Sequence, residues 1–367
     1  MTLVCYISGH GFGHASRSIE LLNTIAARAP GIRIVVRSMA APWLFARTAH
    51  PRVELVPAEC DTGAVQIDSL RLDEQETVNR AARFLAGMPA RIAAEAAALR
   101  ALDARLVVAD IPPLGIAAAR AAGVPAVALG NFTWDWIYAA YPGGADVARR
   151  LGEFYATADL ALRLPLWGGF ETFERIEDLP FIARRSHRDS AEVRRAFGLP
   201  AGERLALVSF GGYGVDGLDM EALSRLEGCG ILMTATTPFR GATLGHTGPV
   251  GSLIPLDEPA MYARGYRYED IVRAVDLVVT KPGYGIIAEC VANDTALLYT
   301  SRGHFAEYDV LVAGMPRYLR AAYIGHGDLF AANWRAYLDD LMAQPAPLVR
   351  ARVDGADVAS DRILSMM

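Results

Sequence analysis

Residues Leu3–Ser16 read LVCYISGHGFGHAS, a short apolar run that passes into a turn with three glycines and two histidines. The segment that follows, RSIELLNTIAARA, spaces its apolar residues as a helix does. A buried strand, a glycine turn and an amphipathic helix open a βαβ unit. The same alternation continues through IRIVVRS, VELVPA, the alanine-rich RAARFLAGMPARIAAEAAALRAL, ARLVVADI, PPLGIAAARAAG and VPAVALGNF. It lapses over residues 163–190, which are rich in proline, glycine and charge, and restarts with RLALVSFGGYG, GILMTATT and DLVVTKPGYGIIAECVANDTALLYTS. Two α/β domains with parallel sheets are therefore expected.

Length agrees, since 367 residues exceed what one core usually organises, about 250–300. The expected division is 1–185 and 186–367, with a helical tail from Asn333. A net charge of −5 gives no support to a nucleic-acid partner. Cys5, Cys60, Cys229 and Cys290 are widely separated and form no metal ribbon or disulfide framework, so a cytoplasmic location is expected. No signal peptide is apparent, and no uncharged apolar run reaches the ~18 residues of a membrane span. Of 36 basic residues only one is lysine, Lys281, and it lies in a glycine-rich turn.

Three strand–turn–helix units carry such turns: SGHGFGHAS (8–16), SFGGYGVDG (209–217) and TKPGYGIIAE (280–289). Glycine lets backbone approach a ligand closely, and the helix N-terminus that follows favours phosphate. Any one of these turns alone is equally a tight connection. A dinucleotide fingerprint would want a glycine at His14 and an acid near Arg37, so that reading is weak. Neither a P-loop nor a D-x-D motif occurs, and no metal site or resident cofactor is expected.

The motifs GHGFGHASR, DTGAVQIDSL, NFTWDWIY and KPGYGIIAE resemble the GT-B glycosyltransferase-like proteins. The layout is similar to the peptidoglycan UDP-GlcNAc transferase group. The motifs themselves are closer to the non-kinase N-terminal region of plant L-arabinokinases. The ATP loop of the sugar-kinase half is missing, so arabinokinase activity is not implied. The resemblance implies a GT-B fold: an acceptor-side Rossmann-like domain facing a nucleotide-sugar-binding one across a cleft. It also implies a UDP-sugar donor, which is a substrate rather than a cofactor, and an unspecified acceptor hydroxyl.

On that pattern Glu289 holds the ribose hydroxyls. Gly283, Tyr284 and Gly285 bring backbone to the diphosphate, Lys281 neutralises it, and Gly11, Gly13, Gly211 and Gly212 clear space beside it. His14 would be the base that takes the acceptor proton, with inversion, while His10 binds acceptor or diphosphate; either imidazole could instead cap its turn. Asp110 and Asp135 are the alternative bases. Asp61, Gln66, Asp68, Asn131 and Trp134 are assigned to the acceptor side. His304 and Glu307, in RGHFAEYD, follow a second-domain strand where this fold contacts the donor sugar. Two rival functions remain at this level. One is a nucleotide-sugar epimerase working through Glu307 with Asp135, and the other is a catalytically silent sugar-nucleotide sensor.

Overall fold

The computed structural model describes residues 1–211, 214–234 and 251–367. Seven parallel strands form the first sheet: β1 (Thr2–Ile7), β2 (Arg33–Ser38), β3 (Val53–Pro57), β4 (Ala104–Asp110), β5 (Ala126–Phe132), β6 (Leu160–Gly168) and β7 (Ile176–Asp178), ordered 3-2-1-4-5-6-7. Six parallel strands form the second: β8 (Arg204–Val208), β9 (Cys229–Thr234), β10 (Leu253–Leu256), β11 (Leu277–Thr280), β12 (Ala296–Tyr299) and β13 (Ala321–Tyr323), ordered 10-9-8-11-12-13.

Every residue of β1 and β5 is buried, as central strands covered on both faces require. The helix Gly13–Arg28 buries Ala15, Ile19, Leu22 and Ile25 on one side, which explains its apolar spacing. Both sheets reverse their winding direction at one place, between β1 and β4 and between β8 and β11. In open α/β sheets the crevice at that reversal, beyond the carboxyl ends of the strands, is where ligands are held. The first and third glycine turns leave β1 and β11, so topology delivers both to the same kind of position.

The tail divides: its first helix, Arg335–Ala343, packs on β12 and β13 of the second sheet, and the rest leaves it. Its last helix, Gly355–Leu364, packs against Gly13–Arg28, and Arg28 pairs there with Asp357 and Asp361. Gly355 sits so close to the 180–182 segment that a Cβ would lie 2.3 Å from the Pro180 carbonyl oxygen. One apolar cluster thereby runs from Ile19 and Ile363 through Phe181 to Val278 and Ile287, joining the two halves. Among the described residues no helix is long and apolar enough to cross a membrane.

Candidate active site

The turn after β1 and the end of β4 meet because their strands are neighbours. Gly11 takes φ +67°, and the Ser8 N–H donates to the Asp110 carbonyl at 2.8 Å. The helix then starts at Gly13, placing His14, Arg17 and Ser18 on one face of its first turns. All three converge on Asp110. Arg17 Nε donates to Oδ2 at 2.8 Å and Nη2 to Oδ1 at 2.5 Å, and Ser18 Oγ donates to Oδ2 at 2.6 Å. His14 Nδ1 lies 2.9 Å from Oδ1. Burial by itself would raise the Asp110 pKa, but the Arg17 charge and these donors hold it well below the carboxylate range.

An ionised carboxylate only accepts, so the 2.9 Å contact assigns the proton to His14 Nδ1. Arg17 Nη2, 3.0 Å from that nitrogen, spends its shorter bond on Asp110. Nε2 takes no bond from the described residues, on a ring packed against Phe132 and Trp134 and lining the cleft. Arg17 continues the network: Nη1 donates to Asn131 Oδ1 at 2.6 Å, and Asn131 Nδ2 donates to Glu307 Oε1 at 2.8 Å. That last bond crosses from the first sheet's domain to the second's.

The opposite wall begins at the helix Tyr284–Asn293, capped by Gly283. Its first turn touches the other helix start, since a Cβ on Gly285 would lie 3.2 Å from Gly13 Cα. Two helix N-termini, each with unpaired N–H groups, thus meet at the floor of one cleft of about 880 Å³. Lys281 lines it, its pKa lowered to about 7 by burial and then by the nearby Arg302 charge. Glu289 is buried in the same wall, where Arg184 Nε donates to its Oε1 at 2.6 Å. Burial raises the Glu289 pKa against the opposing pull of Arg184. Oε2 has no protein donor among the described residues.

His10 also lines the cleft, its ring between Trp134 and Phe305. Gly63 makes room for it, since a Cβ there would lie 2.7 Å from the ring. Burial and then the charges of His14, Arg302 and Lys281 bring its pKa down to about 3, so His10 is a neutral, packed imidazole. Asp61 and Trp134 stand behind it, joined by a 2.9 Å bond from the indole N–H. Burial raises the Asp61 pKa.

Gly11, Gly13, Gly211, Gly283, Tyr284, Gly285, Gln66, Asn131 and Glu307 line the cleft as well. Gly212 lies outside the described residues. Asp110 is behind the cleft wall, so its contact with the site is through His14 and Arg17. Asp135 does not line the cleft: its carboxylate faces Gly152, and Oδ1 is buried without a partner. The pairing of Glu307 with Asp135 that an epimerase would use is therefore not formed around the cleft. Asp68 accepts from Leu70 and Arg71 and closes its own loop, and His304 turns away to Glu74 at 3.2 Å.

Three arginines were not singled out in the sequence: Arg17, Arg184 and Arg302. With 35 arginines in the chain, the residue type gives no signal by itself. Arg17 was recoverable from spacing, because it lies three residues after His14 on the same helix face. Among the described residues no group of three or more His, Cys, Asp or Glu side chains is placed to hold a metal ion.

No protein-family model matches the chain. L-arabinokinase of Arabidopsis thaliana is 27% identical over 97% of this chain, which spans about a third (33%) of that protein's length. The kitacinnamycin glycosyltransferase superposes with a TM-score of 0.68 at 18% identity, covering 100% of this chain and 99% of that one. MurG of Acinetobacter baumannii superposes with a TM-score of 0.56 at 12% identity, covering 99% of each. The chain has the GT-B fold of these glycosyltransferases, two Rossmann-like halves with a cleft between them, over essentially its full length.

Proposed function

We propose that this protein moves a glycosyl group from a uridine diphosphate sugar to an acceptor hydroxyl, with inversion and without a metal. The observation that carries the reading is one cleft with complementary walls. On one side His14 is backed by Asp110; on the other stand a helix N-terminus, Lys281 and Glu289. The uridine preference rests on the resemblance of KPGYGIIAE, and Glu289 Oε2 is the acceptor offered to the ribose hydroxyls.

In the reaction, His14 Nε2 takes the acceptor hydroxyl proton as the oxygen attacks the anomeric carbon. The bond from that carbon to the diphosphate oxygen breaks with its electron pair, and UDP leaves on the opposite face. Asp110 stabilises the imidazolium that forms and fixes its tautomer. The charge growing on the leaving diphosphate meets the N-termini at Gly13 and Gly285 and the Lys281 ammonium, fixed dipoles and charge that need no reorganisation. Calorimetry with UDP and UDP-sugars tests the donor site, and UDP release in the presence of acceptors tests transfer. Absence of UDP binding would overturn the reading. A protein that binds UDP-sugars but turns over none would be the silent sensor instead.

A further inference from the structure

Three arginines with well-covered guanidinium groups line the cleft, and they are not equally satisfied. Arg17 makes two bonds to Asp110 and one to Asn131. Arg184 is bonded to Glu289, with Glu269 3.9 Å away. Arg302 is 6% exposed, yet its contacts are long: the Pro282 carbonyl at 3.3 Å and Glu307 Oε2 at 3.5 Å, both from Nη1. Its Nε and Nη2 have no partner among the described residues. The nearest carboxylate is already engaged, since Glu307 Oε1 accepts from Asn131. Burial lowers the Arg302 pKa more than Glu307 restores it.

Its surroundings mix charges: Lys281 is the neighbouring cation, with Glu307 and, on the Lys281 side, Asp68 as the opposing carboxylates. Lys281 and Arg302 each depress the pKa of His10, and Arg302 depresses that of Lys281. The guanidinium carbon sits over the Phe305 ring, 4.2 Å from its centroid. A guanidinium whose only carboxylate contact is at 3.5 Å, and whose other donors open on the cleft, is placed to receive an anionic group.

The position of Arg302 says which part of a ligand supplies that group. A diphosphate has its own receptors in the two helix N-termini and Lys281. Arg302 comes from the loop after the next strand, β12, and its Nη1 reaches from the Pro282 carbonyl of the diphosphate turn to Glu307, at the border between that turn and the β12 loop. A neutral sugar at this point would leave the guanidinium with hydroxyl partners only. A carboxylate matches its planar pair of donors in a bidentate contact.

Given the glycosyl-transfer reading on which this rests, we propose that the sugar carried by the donor is a uronate, whose carboxylate is received by Arg302. The test is calorimetry of the full chain with UDP, UDP-glucose, UDP-glucuronate and UDP-galacturonate, on wild type, Arg302→Gln and Arg302→Lys. One of the two uronates should bind wild type about tenfold or more tighter than UDP-glucose, the scale of one charge-assisted contact. Arg302→Gln should erase that preference, leaving UDP-glucose and both uronates bound alike, and Arg302→Lys should keep part of it. UDP-glucose binding as tightly as both uronates to wild type would overturn the proposal, whatever the variants do. So would an equal loss for UDP and every UDP-sugar in Arg302→Gln, which would make the residue a phosphate ligand. If UDP itself does not bind wild type, the donor assignment falls first and the uronate with it.

Discussion

The two walls of the cleft are built on opposite principles. On the first-domain side, Asp110 is surrounded by Arg17, Ser18 and His14, and the chain of bonds runs on through Asn131 without a gap. On the second-domain side, Lys281 and Arg302 sit near one another; Glu307 is 3.5 Å from Arg302, and Asp68 is the other acid that acts on Lys281. A saturated network is rigid before any ligand arrives, which suits a group that must hold a base in one tautomer. An under-neutralised pair of cations is unfavourable until an anion arrives, which suits a binding surface. On the proposed reading, the first wall carries the chemistry and the second recognises the donor.

The hardest blow to that contrast would be a dispensable imidazole. His14→Ala should lower kcat by ~10²–10⁴-fold while UDP affinity stays within about twofold, because the ring acts on the transferred proton and not on the nucleotide. Release of UDP and calorimetry measure the two separately. Full turnover in a folded His14→Ala protein would move the base elsewhere.

Next comes the saturation of the network itself. Asp110→Ala leaves the Arg17 guanidinium buried without its bonded carboxylate, so unfolding in denaturant should show a loss of about 3–5 kcal/mol. The sign of the pH effect follows from the lowered Asp110 pKa. Its stabilisation is fully present above the ordinary carboxylate value near ~3.9 and is lost as pH falls through the folded-state value. Asp110→Asn should therefore remove part of the acid-induced loss of stability. An Asp110→Ala protein as stable as wild type would mean that the wall is not preorganised by this carboxylate.

These two residues also show what was and was not legible in the sequence. The βαβ order and the turns at β1 and β11 were readable, because strand, glycine and helix signals are local. That His14 and Asp110 meet is a matter of sheet order: 96 residues separate them, and only the adjacency of β1 and β4 joins them. Asp135 looked equivalent to Asp110 as an acid after a strand. It follows β5 on a new helix, Trp134–Ala139, whose rotation turns its carboxylate toward Gly152. Arg302 was hidden for a different reason. A cation short of partners can be recognised only when its neighbours are known.

On the second wall, Glu289 is the sharpest local test. Glu289→Gln should weaken UDP binding by about tenfold, the scale of a charged hydrogen bond at ~1.5–3 kcal/mol. The same change should abolish any preference for UDP over 2′-deoxy-UDP. A preference that survives intact would free Glu289 from the ribose and leave it as the partner of Arg184.

The test that most directly reports an unsatisfied wall belongs to Lys281. Its ammonium ordinarily titrates near 10.5, but burial and then Arg302 bring it to about 7 in the free protein. A bound diphosphate supplies the missing negative charge and must raise that value. Above about pH 7, then, binding takes up a proton, and affinity should fall by up to about tenfold per pH unit until the bound-state value is reached. Below that pH the lysine is already charged and the affinity should level off. UDP-glucose or a UDP-uronate is the right probe, because its diphosphate carries no titrating proton in this range. Calorimetry in buffers of different ionisation enthalpy would count the proton directly, and Lys281→Gln should remove it together with the slope. An affinity that is flat from about pH 6 to 9 in wild type would mean that Lys281 is charged before the donor arrives, and that the second wall is as well satisfied as the first.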